Sequence, residues 1–201
     1  HYLPQINAST VLSELGLASG EFFVVSAHRE ENIDSEENFN NLLATLNRLA
    51  ETCERPVIVS THPRTRKRLE QQVGSVCDPR IRFLKPLGFF EYVRLQCEAR
   101  CVISDSGTIT EEASILGFPA VTIRQAHERP EGMDEGTLIM CGLKPESVLE
   151  SIRVVTAQHG EPGQAAMRIV ADYDSETVSR KVLRIILSYT DYINRTVWKK
   201  A

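Results

Sequence analysis

Between Ile103 and Gly117 the chain reads "ISDSGTITEEASILG". The end of an apolar strand gives way at Asp105-Ser106-Gly107 to a small polar turn. Two glutamates then lead into a helical stretch that Gly117 is suited to stop. Strand, tight turn and helix in that order are the unit from which parallel α/β sheets are built. A Ser106-Gly107 turn at that place predicts backbone N–H donors at a helix N-terminus, where an anion such as phosphate can bind, with Gly107 permitting close approach. The same residues also suit plain helix capping, with Glu111 and Glu112 favouring the positive end of the helix dipole. On this stretch alone both readings stand. Ser106 as a hydrolase nucleophile is the weaker idea, because the turn lacks the GxSxG elbow.

The same unit recurs on both sides. "FFVVSA" (Phe22 to Ala27) is a short continuous apolar run, as expected of a strand buried on both faces. The following "SEENFNNLLATLNRLAET" puts Phe39, Leu42, Leu43, Leu46 and Leu49 on one helical face, with Ser35 as N-cap and Asn38 three residues on. "PVIVST", "IRFLKPL", "CVIS" and "PAVTI" supply further strands, and "GTLIMCG" a short sixth. "FFEYVRLQCEA", "TEEASILG" and "PESVLESIRVVTAQ" supply helices between and after them, Pro145 sitting in the first turn of the last. The alternation predicts an α/β fold, a parallel sheet with helices on both faces. A further amphipathic helix is expected near the end, with Val178, Val182, Ile185, Ile186, Tyr189 and Ile193 apolar and Trp198 stranded beyond it.

Composition narrows the function classes. With 201 residues, 42% hydrophobic and 25% charged, the chain has material for an ordinary core. A net charge of −4 argues against a nucleic-acid binder. The densest basic run, "PRTRKRLE" (Pro63 to Glu70), reads as the solvated face of a helix or as a phosphate-steering patch. Five scattered cysteines without a CxxC pair signal neither a zinc ribbon nor a disulfide framework, and suit reduced thiols in a cytoplasmic protein. No run approaches the roughly 18 apolar residues of a membrane helix, and no signal peptide is visible. The start at His1-Tyr2-Leu3-Pro4, without an initiator methionine, suggests processing or excision from a longer chain.

In open α/β sheets ligands sit beyond the carboxyl ends of the strands. The turns there read "AHREEN" (Ala27 to Asn32), "THPR" (Thr61 to Arg64), "KPLGFF" (Lys85 to Phe90), "SDSGT" (Ser104 to Thr108) and "RQAHERPEGMDEGT" (Arg124 to Thr137). All are polar or glycine-bearing, and three bring a histidine: His28, His62 and His127. Singly, each histidine can be structural; His28 gains weight from Arg29 beside it, an anion-friendly pair at a strand end. Carboxylates behind the Ser106 turn can accept hydrogen bonds from a ribose diol. No HxxxH or HxH spacing supports a metal. Neither GxxxxGK[ST] nor GxGxxG is present, which weakens a nucleotide hydrolase or a dehydrogenase.

Five of these segments, "SAHREEN", "THPR", "RFLKPLGFFEYVRL", "SDSGTITEEASILGFPAVTIR" and "HERPEG", follow one another between Val24 and Gly132. Together they resemble the C-terminal half of the non-hydrolysing UDP-N-acetylglucosamine 2-epimerase family. That resemblance implies a Rossmann-like domain, the C-terminal half of a GT-B-like two-domain enzyme. It implies a linker over residues 1–20, a UDP-binding domain over 21–172, and a C-terminal helical segment over 173–201 that crosses back to an N-terminal domain. It carries His28 and Arg29 to the diphosphate as the catalytic pair, Ser106 and Gly107 to the phosphate-binding turn, and Glu112 to the ribose hydroxyls. Pro86, Leu87 and Tyr92 fall where the uracil is held. Arg124, Glu128 and Arg129 match the segment that closes the site, and His62 lies at another lining turn.

The sequence departs from the parent pattern at Thr108, where a second glycine is usual, at His127, where threonine is usual, and at Glu30, where arginine is common. "RQAHERPEGMDEGTLIMCGL" is similar to the branch that makes UDP-N-acetyl-L-fucosamine from UDP-2-acetamido-2,6-dideoxy-L-talose. The implied reaction eliminates UDP across C1–C2 and re-adds it after reprotonation at C2. In the family the main acid/base carboxylates come from the N-terminal domain, so this chain is expected to bind UDP without turning over alone. The resemblance further implies a cytoplasmic homodimer, no cofactor, no nucleic-acid or membrane partner, and a place in O-antigen or capsule polysaccharide biosynthesis. Rival readings are the parent epimerase giving UDP-N-acetylmannosamine, a GT-B glycosyltransferase, a UDP-sugar-binding module without catalysis, and an α/β domain with capped helices and no ligand.

Overall fold

A computed structural model describes residues 1–61, 68, 77–126, 128–159 and 167–200. They form two compact units, His1–Val170 and Ala171–Ala201. In the first, six parallel strands are β1 (Phe23–Ser26), β2 (Val57–Ser60), β3 (Ile81–Leu84), β4 (Cys101–Ser104), β5 (Ala120–Thr122) and β6 (Ile139–Met140). Their order across the sheet is β3-β2-β1-β4-β5-β6, so each expected apolar run became a strand of a doubly wound Rossmann-like sheet. The expected stretch "PRTRKRLE" lies outside the described residues apart from Arg68.

Alternation along the strands explains the two helical layers. Phe23 and Val25 of β1, Val57 and Val59 of β2 and Ile103 of β4 point into a core with Phe39, Leu42, Leu46 and Leu49. Those four belong to the helix α1 (Glu36–Cys53), and Val148 and Ile152 of the helix Pro145–Gln158 join them. Phe22, Val24, Ile58 and Val102 face the other way, into a core with Leu95, Ile109 and Ala113. A period of two in the strands meets a period near 3.6 in the helices, and both sheet faces become dry. Full burial of each such Leu or Phe is worth about 1.5–3 kcal/mol. Local chemistry agrees with packing: Ser35 Oγ accepts from Asn38 N at the start of α1.

Register sets the functional edge. Ser26 at the end of β1 pairs with Ser60 on one side and with Ser104 on the other. The strand order reverses direction between β1 and β4, so the crossovers leaving these two strands run to opposite faces. The turns that follow them are thereby left side by side with no crossover between, which is where open α/β sheets form a crevice.

The unit Ala171–Ala201 holds one long helix, Val178–Thr196. Its apolar positions Val178, Val182, Ile185, Ile186 and Tyr189 are exposed, as is Trp198. Among the described residues no helix is long and apolar enough to cross a membrane.

Candidate functional site

The turn after β1 and the turn after β4 are tied together by one buried carboxylate. Asp105 has no exposed surface. Its Oδ2 accepts from the backbone N–H groups of His28 at 3.0 Å and Arg29 at 2.9 Å, and from Asn32 Nδ2 at 3.0 Å. Arg29 Nε donates to the Asp105 carbonyl at 2.9 Å. His28 Nδ1 lies 3.1 Å from Asp105 Oδ1, an ion-pair contact in which the ring N–H is not aligned for a full hydrogen bond. Burial pushes the Asp105 carboxyl up, but the bonds from His28, Arg29 and Asn32 outweigh it and hold the group below the usual carboxylate range. The same contact with Asp105 raises the His28 imidazole above its ordinary value against the opposing pull of burial.

The Ser106 turn does not behave as a simple cap. Ser106 N donates to Ser104 Oγ at 3.1 Å, and Ser106 Oγ pairs with Thr108 Oγ1 at 3.0 Å. No side chain caps the helix Ile109–Leu116 that follows. Over this turn lies the segment after β5. Arg124, only 7% exposed, donates from Nη2 to Glu128 Oε1 at 2.8 Å, and Arg29 Nη2 is 3.6 Å from the same oxygen. That hydrogen bond from Arg124 holds the Glu128 carboxyl below its usual range. Arg129 Nε donates to Glu111 Oε1 at 2.7 Å, which fastens the "ERPE" segment to the helix Ile109–Leu116. Ser106, Gly107, Arg124, Glu128 and Arg129 line one shallow cleft.

Of the residues expected at a site, the structure thus gathers His28, Arg29, Ser106, Gly107, Thr108, Arg124, Glu128 and Arg129 at the switch point. Glu112 stands one helical turn further in and accepts from Gln96 Nε2 at 2.8 Å. Tyr92 reaches the end of β1 through a hydrogen bond with Ser26, and burial pushes its phenol up to about 12. Pro86 is exposed in the turn after β3, and Leu87 packs on the second core. His62 and His127 lie outside the described residues. Two functional-looking residues escaped the sequence reading. Asp105 was legible in principle, as an acid directly after a short, fully buried strand. Gln96 was not, since its partner Glu112 is sixteen residues away on another helix.

Four buried polar atoms without a hydrogen-bond partner fall at this edge: Asp105 Oδ1, Glu111 Oε2, Thr122 Oγ1 and Arg124 Nε. Unsatisfied buried groups are rare in folded proteins, and their gathering here marks a polar site. Arginines, an imidazole and N–H donors suit an anionic ligand. Among the described residues no group of three or more His, Cys, Asp or Glu is placed to hold a metal. A larger cavity, about 440 Å³, lies at the opposite edge, between Gly20, Ala99 and Pro119 ahead of the strands. There Arg94 is paired with Glu98 at 2.9 Å, and fewer cationic groups converge.

Comparison with known proteins bears on this geometry. A solved structure of UDP-N-acetylglucosamine 2-epimerase from Rickettsia bellii is 47% identical and superposes with a TM-score of 0.82, over 99% of this chain and 53% of that one. The Methanocaldococcus jannaschii UDP-GlcNAc 2-epimerase, solved in complex with UDP-GlcNAc and UDP, is 25% identical with a TM-score of 0.77, over 92% of this chain and 51% of that one. A UDP-2,3-diacetamido-2,3-dideoxy-D-glucuronate 2-epimerase of Pseudomonas aeruginosa is 31% identical over 73% of this chain and 40% of its own length. The chain spans less than half the length of the curated relatives it matches. The model of the family described as UDP-N-acetylglucosamine 2-epimerase covers residues 1–187, from the first short helix well into the last long one, so the chain belongs to that family.

Proposed function

We propose that this chain is the UDP-binding half of an enzyme that inverts C2 of a UDP-2-acetamido sugar by eliminating and re-adding UDP. The observation that carries the reading is the convergence of His28, Arg29 and Arg124 on the Ser106-Gly107 turn at the switch point. Cations and N–H donors held there would stabilise charge as it develops on the leaving diphosphate. In this reading Glu112 takes the ribose hydroxyls, and Pro86, Leu87 and Tyr92 hold the uracil. The carboxylates that move the C2 proton come from an N-terminal domain, so the 201 residues bind UDP without turnover. The exposed apolar helix Val178–Thr196 and Trp198 are the surface on which that domain would sit. A homodimer is proposed with it.

For the sugar we favour UDP-2-acetamido-2,6-dideoxy-L-talose, with UDP-N-acetyl-L-fucosamine as product, on the motif "RQAHERPEGMDEGTLIMCGL" and on Thr108, His127 and Glu30. The named activity of the Pseudomonas relative supports a family fold that accepts differently substituted sugars. The second reading is UDP-GlcNAc itself, supported by the names of the Rickettsia and Methanocaldococcus enzymes. Calorimetric titration of UDP into the chain, beside Glu112→Ala and His28→Ala, tests the site; binding that both substitutions weaken is expected. Product analysis with both sugars on the protein joined to an N-terminal domain tests the chemistry. A glycosylated acceptor in place of an epimerised nucleotide sugar would point to a glycosyltransferase. Binding without any turnover would leave only a UDP-sugar-binding module.

A further inference from the structure

Asp105 does more than fasten a loop. Its Oδ2 satisfies three donors of the β1 turn, at 2.9–3.0 Å. A neutral amide oxygen could fill that role, since each of the three donors needs only an acceptor. The second oxygen is what requires a carboxylate. Oδ1 is buried and faces His28 Nδ1 at 3.1 Å, within ion-pair reach of the ring. An asparagine there would turn an NH₂ toward the ring and demand a lone pair on Nδ1 in place of a proton. Enclosing a carboxylate costs several kcal/mol before its partners offset it, so a chain that keeps one where an amide would serve the turn gains something from the charge.

We infer that Asp105 is the positioning residue of the site, which fixes the His28 imidazole with its Nδ1 protonated toward the sheet and leaves Nε2 for the ligand. The ring is half-exposed while Asp105 is wholly enclosed, so the free nitrogen lies on the accessible side. In the neutral ring Nε2 then carries the lone pair; once protonated, it donates to an anion. The charged groups facing the ring are Asp105 from the turn after β4 and Arg29 from its own turn, the latter offset by Glu128. The carboxylate thus lets two cationic groups stand next to each other at the place where a diphosphate would develop charge. The identity of that anion rests on the UDP reading; the linkage between Asp105 and His28 does not.

Long-range ¹H–¹⁵N NMR of the imidazoles in the 201-residue chain tests this without ligand, with His28→Gln assigning the signal. Neutral His28 is expected as the Nδ1–H tautomer, the minor form of a free imidazole, with a midpoint above the ordinary histidine value. Asp105→Asn keeps the acceptor for the turn; there the tautomer should switch to Nε2–H and proton affinity fall by about tenfold. An Nε2–H tautomer in the wild-type chain would overturn the inference, as would an unchanged tautomer and midpoint in Asp105→Asn. Should that variant fail to fold, the wild-type tautomer decides alone. UDP is then titrated into both proteins near neutral pH, where Asp105→Asn should bind more weakly. Absence of UDP binding beside the expected tautomer would sink the UDP reading and leave the Asp105–His28 linkage intact.

Discussion

The Gln96 side-chain amide donates to Glu112 Oε2 at 2.8 Å, from a helix that the sequence separates from Glu112 by a whole strand. Gln96 is 1% exposed and its own Oε1 has no partner. So enclosed an amide holds the carboxylate in one orientation. Gln96→Leu should leave stability within about 1 kcal/mol, since it removes an unsatisfied oxygen together with a hydrogen bond. UDP affinity should fall several-fold, while pyrophosphate, which has no ribose, binds unchanged. Equal losses for both ligands in calorimetry would show that Glu112 does not serve the ribose.

Gly107 offers a separation of fold from binding. A Cβ there would meet Glu128 Oε2 at 3.6 Å and Arg124 Nη1 at 3.8 Å, ordinary contact distances. Gly107→Ala should therefore change stability by no more than about 0.5 kcal/mol. The methyl would stand where the proposed diphosphate would approach the turn, so UDP affinity should drop by about tenfold or more. An unaltered affinity would argue that the ligand does not touch this turn.

Glu128 holds one oxygen between Arg124, at 2.8 Å, and Arg29, at 3.6 Å. It is an anion placed where the proposed diphosphate would compete for both guanidinium groups. Glu128→Gln should tighten UDP binding several-fold and steepen its dependence on salt. Weaker binding in the variant would mean that this carboxylate contacts the ligand directly.

The His28–Asp105 pair gives stability a definite pH dependence. His28 is raised in the folded state, so its contribution is fully present below about 6.5 and is lost as pH rises through the folded value. Asp105 is lowered, so its contribution is present above about 3.9 and is lost as pH falls through its depressed value. The difference in Tm between the wild-type chain and His28→Ala should be greatest between those limits and shrink toward alkaline pH. The effect will be modest, because the imidazole is half-exposed and screened. A difference that grew with pH would contradict the pairing.

How the sequence and the fold divide the work can be seen residue by residue. The central strands β1, β2, β4 and β5 were visible as short apolar runs, because a strand buried on both faces has few polar positions to interrupt it, whereas the edge strand β3 carries the exposed Arg82. Ser35, Pro145 and Gly117 announced helix ends through chemistry that acts within a few residues. The polar turns bearing His28, Ser106 and Arg124 were also legible, since parallel strands must put all such turns on one edge. What the linear order could not express is which turns become neighbours. Only the strand order, with β1 beside β4, sets His28 against Asp105, and only helix packing brings Gln96 to Glu112 and Arg129 to Glu111. Local periodicity determined the elements of this protein. The pairing of its charges was decided by tertiary structure, because a buried carboxylate is tolerable only where donors from distant segments arrive together.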